Sequence, residues 1–131
     1  MVLKSLKRLE RNIYYIEIIM TKLTPFHLAI PVKNLSESKD FYENILGCKR
    51  GRESDEWADY DFFGHQLVIH VDPNHKGKSH HNEVDGKSVP IPHFGVVIPW
   101  DDFDKFANML STNNIHFVIC LLYTSDAADE S

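Results

Sequence analysis

Cysteine is scarce: Cys48 and Cys120 are the only two in 131 residues, and they form no C-x-x-C pair. That excludes a disulfide framework and a thiolate zinc site, and it points to a reducing, cytoplasmic setting. Basic charge is also short. Fourteen Lys and Arg face nineteen Asp and Glu, for a net charge of −5 and no basic stripe, which excludes a nucleic-acid footprint. No apolar run is long enough to span a bilayer, so no membrane partner is expected. The length allows one compact domain with a real core and is too short for two ordinary ones. What is plentiful is histidine: eight residues, all between His27 and His116.

One stretch organises the rest. Pro25-Phe26-His27-Leu28-Ala29-Ile30-Pro31-Val32 reads as a strand with Phe26, Leu28, Ile30 and Val32 on one face. Alternation puts His27, Ala29 and Pro31 on the other, so the histidine is presented among small residues. A second copy follows at Pro92-His93-Phe94-Gly95-Val96-Val97-Ile98-Pro99. Each copy leads through a short polar turn into a helical pattern.

After the first copy, Asn34-Leu35-Ser36-Glu37 has capping-box spacing, and Leu35, Ser38, Phe41, Tyr42, Ile45 and Leu46 recur at helical spacing. Gly47 stands where a C-terminal cap belongs. Lys49 to Ser54 and Glu56 to Phe63 read as strands. In the second, Ala58, Tyr60 and Phe62 oppose Trp57, Asp59, Asp61 and Phe63. A tight hairpin with Gly64 first leads into a strand from Gln66 to Val71, where Gln66, Val68 and His70 share a face. The first unit is therefore β-α-β-β-β. Asp72 to Pro90 reads as a long polar connection carrying His75, His80 and His81, either solvated or metal-binding. Beyond the His93 strand, Trp100, Phe103, Phe106, Ala107 and Leu110 form a helix stripe, with Asp101 or Asp102 as N-cap and Asn113-Asn114 as the left-handed cap. Ile115 to Ile119 begins another strand, expected to have an unpaired edge.

Both ends differ from the middle. Residues 1–19 are basic, with Lys4, Lys7, Arg8 and Arg11. They read as a non-native or helical extension ahead of Met20, the rival being a targeting or membrane-surface helix. Residues 120–131, Cys120 to Ser131, resemble the translation of a sequencing adaptor and are set aside from the fold. The domain is expected to run over 20–119, with a first module at 24–71, a connection at 72–92 and an incomplete second module (βαβ) at 93–119.

Paired β-α-β-β-β units with His27 and His93 on matched first strands resemble the vicinal oxygen chelate superfamily of glyoxalases, bleomycin-resistance proteins and extradiol dioxygenases. The resemblance covers about residues 24 to 119. It rests on Phe26 to Val32 with Phe41-Tyr42 and Leu46-Gly47, and on His93 to Val97 with Asp102-Phe103 and Asn114 to Val118. It implies an α+β fold of paired βαβββ modules, whose curled mixed sheet surrounds a cleft holding a divalent metal. His27 and His93 carry over as ligands, and a glutamate is expected in a strand beyond residue 119. On the fourth strand of the first module the ligand choice stays open between His70 and Gln66.

Two neutral imidazoles and a carboxylate leave open positions on Fe(II), Zn(II), Mn(II) or Ni(II). A substrate with adjacent oxygens can chelate there, with the metal as Lewis acid. The resemblance thus implies a metal-dependent isomerase, lyase or ring-cleaving dioxygenase acting on a small molecule, as a possible homodimer. Lacking the glutamate, the chain itself is expected to bind metal weakly and be inactive. The rival is a metal-free, antibiotic-type binding protein whose cleft, lined by Trp57, Asp59, Asp61 and Gln66, traps a cationic ligand.

Overall fold

A computed structural model describes residues 4–5, 24–77, 80–84 and 86–118. In chain order its elements are β1 (Lys4–Ser5), β2 (His27–Val32), α1 (Leu35–Asp40), β3 (Lys49–Glu53), β4 (Trp57–Phe62) and β5 (His65–Val71). They continue with β6 (His80–Val84), β7 (Lys87–Ile91), β8 (Val97–Ile98) and α2 (Trp100–Thr112). The class is mixed α+β. The backbone divides into two compact units, one of Leu23–Gly77 and one comprising the rest.

The first unit is a complete βαβββ module with sheet order β2-β5-β4-β3, in which β2 and β5 run parallel and the other pairs antiparallel. Asn34 starts α1: its side chain accepts from the Glu37 backbone at 3.1 Å and donates to the Glu37 carboxylate at 3.1 Å. The helix continues through Phe41–Ile45 as a π-helical turn, closed by Leu46 N donating to Phe41 O at 3.0 Å. Gly47 then turns the chain out at φ +70, the left-handed conformation that a C-terminal cap requires.

The apolar stripes predicted for β4 and α1 meet. Tyr42 stacks on Tyr60 with centroids 5.5 Å apart and meets Phe62 edge-on at 6.2 Å. Ala58, Leu67 and Ile69 are fully buried on the same face. The Tyr60 hydroxyl reaches the Glu43 carboxylate at 2.9 Å, so its polar tip is satisfied. Outside this core, Lys39 and Arg50 pair with Glu53 across the exposed edge strand β3, contributing little to stability. Those contacts hold the Glu53 carboxyl below its usual range, chiefly through the Lys39 hydrogen bond.

Burial raises the Tyr42 hydroxyl to about 12, with Cys48 adding to the shift. Burial, then the Glu43 hydrogen bond, raises Tyr60, and burial raises the Cys48 thiol. Folded, these acids keep their protons to higher pH than they do unfolded. Their contribution is therefore complete below pH 9 and is lost progressively as pH rises from about 9–10 to beyond 12. The thermal midpoint is expected to be flat with respect to these groups up to about pH 9 and then to fall, with a shallower fall in Tyr42→Phe. An equally steep fall in that variant would assign the loss to other groups.

The second unit departs from the sequence expectations. The connection at 72–92 contains a hairpin: β6 pairs antiparallel with β7, His80 opposite Ile91 and Val84 opposite Lys87. Its strands are mostly polar and exposed, so they show no apolar alternation. The strand expected from His93 shrinks to Val97–Ile98. Alternation is a local property, whereas a strand needs a ladder partner, and here the partner is Lys4–Ser5 in parallel register. Those two residues lie within the stretch expected to be an extension. The other expectations for residues 1–23 and 119–131 lie outside the described residues.

Helix α2 buries Phe103, Ala107 and Leu110, with Phe106 and Val96 packed against Phe103, Ala107 and Ile98. Its N-cap is Pro99 rather than Asp101 or Asp102. Those acids instead occupy the first turn, where they complement the positive end of the helix. Asn114 supplies the left-handed exit at φ +58. Residues 115–118 then run without strand pairing, so the edge expected there is not formed in the described residues.

Candidate functional site

The site is built on the sheet face of the first unit opposite the tyrosine core. Register places its residues in three rows across β2, β5 and β4. His27, Gln66 and Asp61 form the first, Ala29, Val68 and Asp59 the second, and Pro31, His70 and Trp57 the third. All four residues expected to line a cleft, Trp57, Asp59, Asp61 and Gln66, therefore share a face with His27. His70 shares the face but not the neighbourhood. It is four residues along β5 from Gln66, about 13 Å at strand rise, and its ring meets Trp57 at 6.4 Å.

Gln66 is the residue brought against His27. Its Oε1 lies 2.9 Å from His27 Nδ1, while its Nε2 donates to Asp59 Oδ2 at 3.3 Å. Asp59 is 7% exposed, and its Oδ1 accepts from the backbone N–H of Arg52. The Arg52 Nε lies 3.6 Å from Oδ2, and its guanidinium sits 5.8 Å from the centre of the Trp57 ring. Asp61 serves the turn: its Oδ1 accepts from Gly64 N at 2.8 Å. That turn has Phe63 first and Gly64 second, at φ +51 and +87, one residue out from the expectation that glycine leads. Two successive positive φ values are the I′ geometry that matches strand twist. His65 then turns back, its Nδ1 accepting from Phe26 N at 3.0 Å.

In the second unit His93 is exposed, one residue beyond the cis Ile91-Pro92 bond, with its Nδ1 2.7 Å from the carbonyl of Pro90. A carbonyl only accepts, so His93 donates from Nδ1, and in the neutral ring the lone pair then sits on Nε2. His27 reaches the same state by a longer route. Asp59 can only accept, so the Gln66 amide must aim its NH₂ at Asp59 and its oxygen at His27. His27 then donates from Nδ1. In their neutral forms both imidazoles are left with Nε2 as the lone-pair atom.

The family model described as the Glyoxalase/Bleomycin resistance protein/Dioxygenase superfamily matches residues 24–121. The chain belongs to that superfamily. A solved glyoxalase/bleomycin resistance protein/dioxygenase from Alicyclobacillus acidocaldarius is similar at 30% identity and TM-score 0.57, over 72% of this chain and 67% of its own. An integron cassette protein from the mobile metagenome of the Halifax Harbour sewage outfall is similar at 21% identity and TM-score 0.53, over 70% and 72%, which bears on the fold alone. No curated protein matches the chain.

For this glyoxalase-superfamily chain, sequence reading singled out His27, His93 and Gln66 but missed what holds them. Gly51, Arg52 and the Pro90 carbonyl stand outside the sequence expectations. An isolated glycine between two arginines on a strand was a usable sign of a bulge and a close approach. Asp85-Gly86 was likewise a legible hairpin signal inside the long connection. Among the described residues no three His, Cys, Asp or Glu side chains are grouped to hold a metal, and no helix is long and apolar enough to cross a membrane.

Proposed function

We propose that this superfamily member serves a divalent-metal-dependent reaction on a small substrate with two adjacent oxygens, with His27 and His93 as protein ligands. The class is an isomerase, lyase or ring-cleaving dioxygenase step. The observation that carries the reading is the matched contact of the two imidazoles, 2.9 Å from His27 Nδ1 to Gln66 Oε1 and 2.7 Å from His93 Nδ1 to the Pro90 carbonyl. Each has Nδ1 bound to an acceptor, the outer-contact arrangement that orients a metal-ligating histidine and keeps Nε2 available. The donor set suits Fe(II), Zn(II), Mn(II) or Ni(II), and a bound ion would supply Lewis acidity toward the substrate oxygens. His70 is not part of this set, being rows away from His27. Neither does Asp59 supply the carboxylate that the family resemblance implies, since both its oxygens are engaged.

The same engagement weakens the cation-trapping alternative. Asp59 already neutralises Arg52, and one oxygen of Asp61 belongs to the turn, so neither is a ready counter-charge.

Calorimetric titration with Zn(II) or Mn(II) tests the proposal. One ion per chain is expected, bound weakly, with affinity falling by about 100-fold or more in His27→Ala and in His93→Ala. Loss of a ligand should exceed the roughly 10–100-fold typical of an outer partner. Unchanged binding in both variants would refute it.

A further inference from the structure

We infer that Asp59 and Gln66 are positioning residues that set the tautomer of His27, so that a buried carboxylate two hydrogen bonds removed decides which imidazole nitrogen can take a metal. The metal role rests on the function proposed above; the tautomer control does not.

The chain of reasoning is one of donors and acceptors. The backbone N–H of Arg52 occupies Asp59 Oδ1, and a backbone N–H cannot reverse its role. Asp59 Oδ2 faces the Gln66 amide at 3.3 Å, and a carboxylate offers only lone pairs, so the NH₂ end of the amide must point there. The oxygen end must then face His27 Nδ1 at 2.9 Å. No link can be inverted without leaving a polar group facing its own kind, and Asp59 is buried enough for that mismatch to be expensive. The ring of His27 itself is exposed on the sheet face, so its environment offers no other strong reason to prefer one tautomer.

Asp59→Asn should therefore invert the relay without touching either residue it controls. Arg52 N–H still needs an acceptor, so the Asn oxygen stays with it and the new NH₂ faces Gln66, while the exposed Arg52 guanidinium, 3.6 Å from that position in the wild type, turns to solvent. The Gln66 amide then rotates its oxygen toward Asn and its NH₂ toward His27. His27 Nδ1 must now accept, and its proton moves to Nε2. Adding Gln66→Glu to Asp59→Asn restores a pure acceptor beside His27, and the original tautomer should return.

The measurement is long-range nitrogen–proton NMR on ¹⁵N-histidine-labelled, metal-free full-length chain at alkaline pH, where histidine rings are neutral. Wild type is expected to show His27 protonated at Nδ1, Asp59→Asn at Nε2, Gln66→Leu a mixture, and the double variant Nδ1 again. Zn(II) affinity should fall by about 10–100-fold in Asp59→Asn and recover in the double variant. A wild-type ring protonated at Nε2, or an Asp59→Asn ring identical to wild type in a folded protein, would overturn the inference. A tautomer that switches in a chain that takes up no metal would uphold the positioning role and sink the metal proposal. Metal binding with a tautomer indifferent to Asp59 would do the reverse.

Discussion

Ile69→Ala is expected to lower the unfolding free energy by about 2–5 kcal/mol, the range for removing a buried branched side chain and leaving its space partly unfilled. Ile69 is fully buried in the centre of β5, with Ile30 and Ala58 as its register partners on either side. Neither neighbour can close the gap readily, because Ile30 is held in a parallel ladder and Ala58 is too small. Ile69→Val should cost only about 0.5–1.5 kcal/mol. Val84→Ala, at a position 52% exposed, is the control and should stay within about 0.5 kcal/mol. Denaturant unfolding of the three variants gives the ordering. A small effect at Ile69 would mean that the described core is not what holds the first unit together.

Gly51→Ala is expected to destabilise by about 1–3 kcal/mol, by the overpacking route. The register of β3 against β4 shifts between Arg50 and Glu53, so Gly51 and Arg52 together face Asp59. A Cβ at Gly51 would collide with Asp59 Oδ1, and the carboxylate cannot swing aside without abandoning the Arg52 N–H and the Gln66 amide. The collision thus disturbs both the fold and the orientation of His27. Repeating the substitution in an Asp59→Ser background separates the causes: if the clash is responsible, the cost of Gly51→Ala should shrink there. An undiminished cost would place the effect in the strand backbone. Gly64 offers the contrast, since its neighbourhood has room for a Cβ and only its φ of +87 resists one.

Much of the first unit was legible because its signals are local and consistent. Asn34 with Glu37 announced the helix start, Gly47 its end, and alternation along Trp57 to Phe62 gave the two faces of β4. Even the glutamine was visible as one of two choices on β5. What could not be read was the choice itself. His70 and Gln66 lie on one face with the same parity, and only the register of β2 against β5 puts Gln66, and not His70, beside His27. Register depends on which residues of two distant segments pair, and no property of either segment states it.

The second unit shows the converse failure. Val96-Val97-Ile98 looks like strand wherever it is placed, but among the described residues the ladder pairs Val97 and Ile98 alone. Polar hairpin strands such as His80–Val84 show no burial pattern, so only their turn could have revealed them.

By itself the sequence determined the β-α-β-β-β order of the first unit, both ends of its helix, the faces of its strands and the recurrence of a histidine-led apolar stretch. Those follow from dihedral preferences and from periods of 2 and 3.6, which every residue carries with it. Only the tertiary structure decided that Asp59 is a buried anchor rather than a cleft acid, that Gln66 links it to His27, and that Arg52 fixes the direction of the whole relay. Hydrogen-bond direction arises between residues that folding brings together, and a donor has no defined acceptor until the ladder is built.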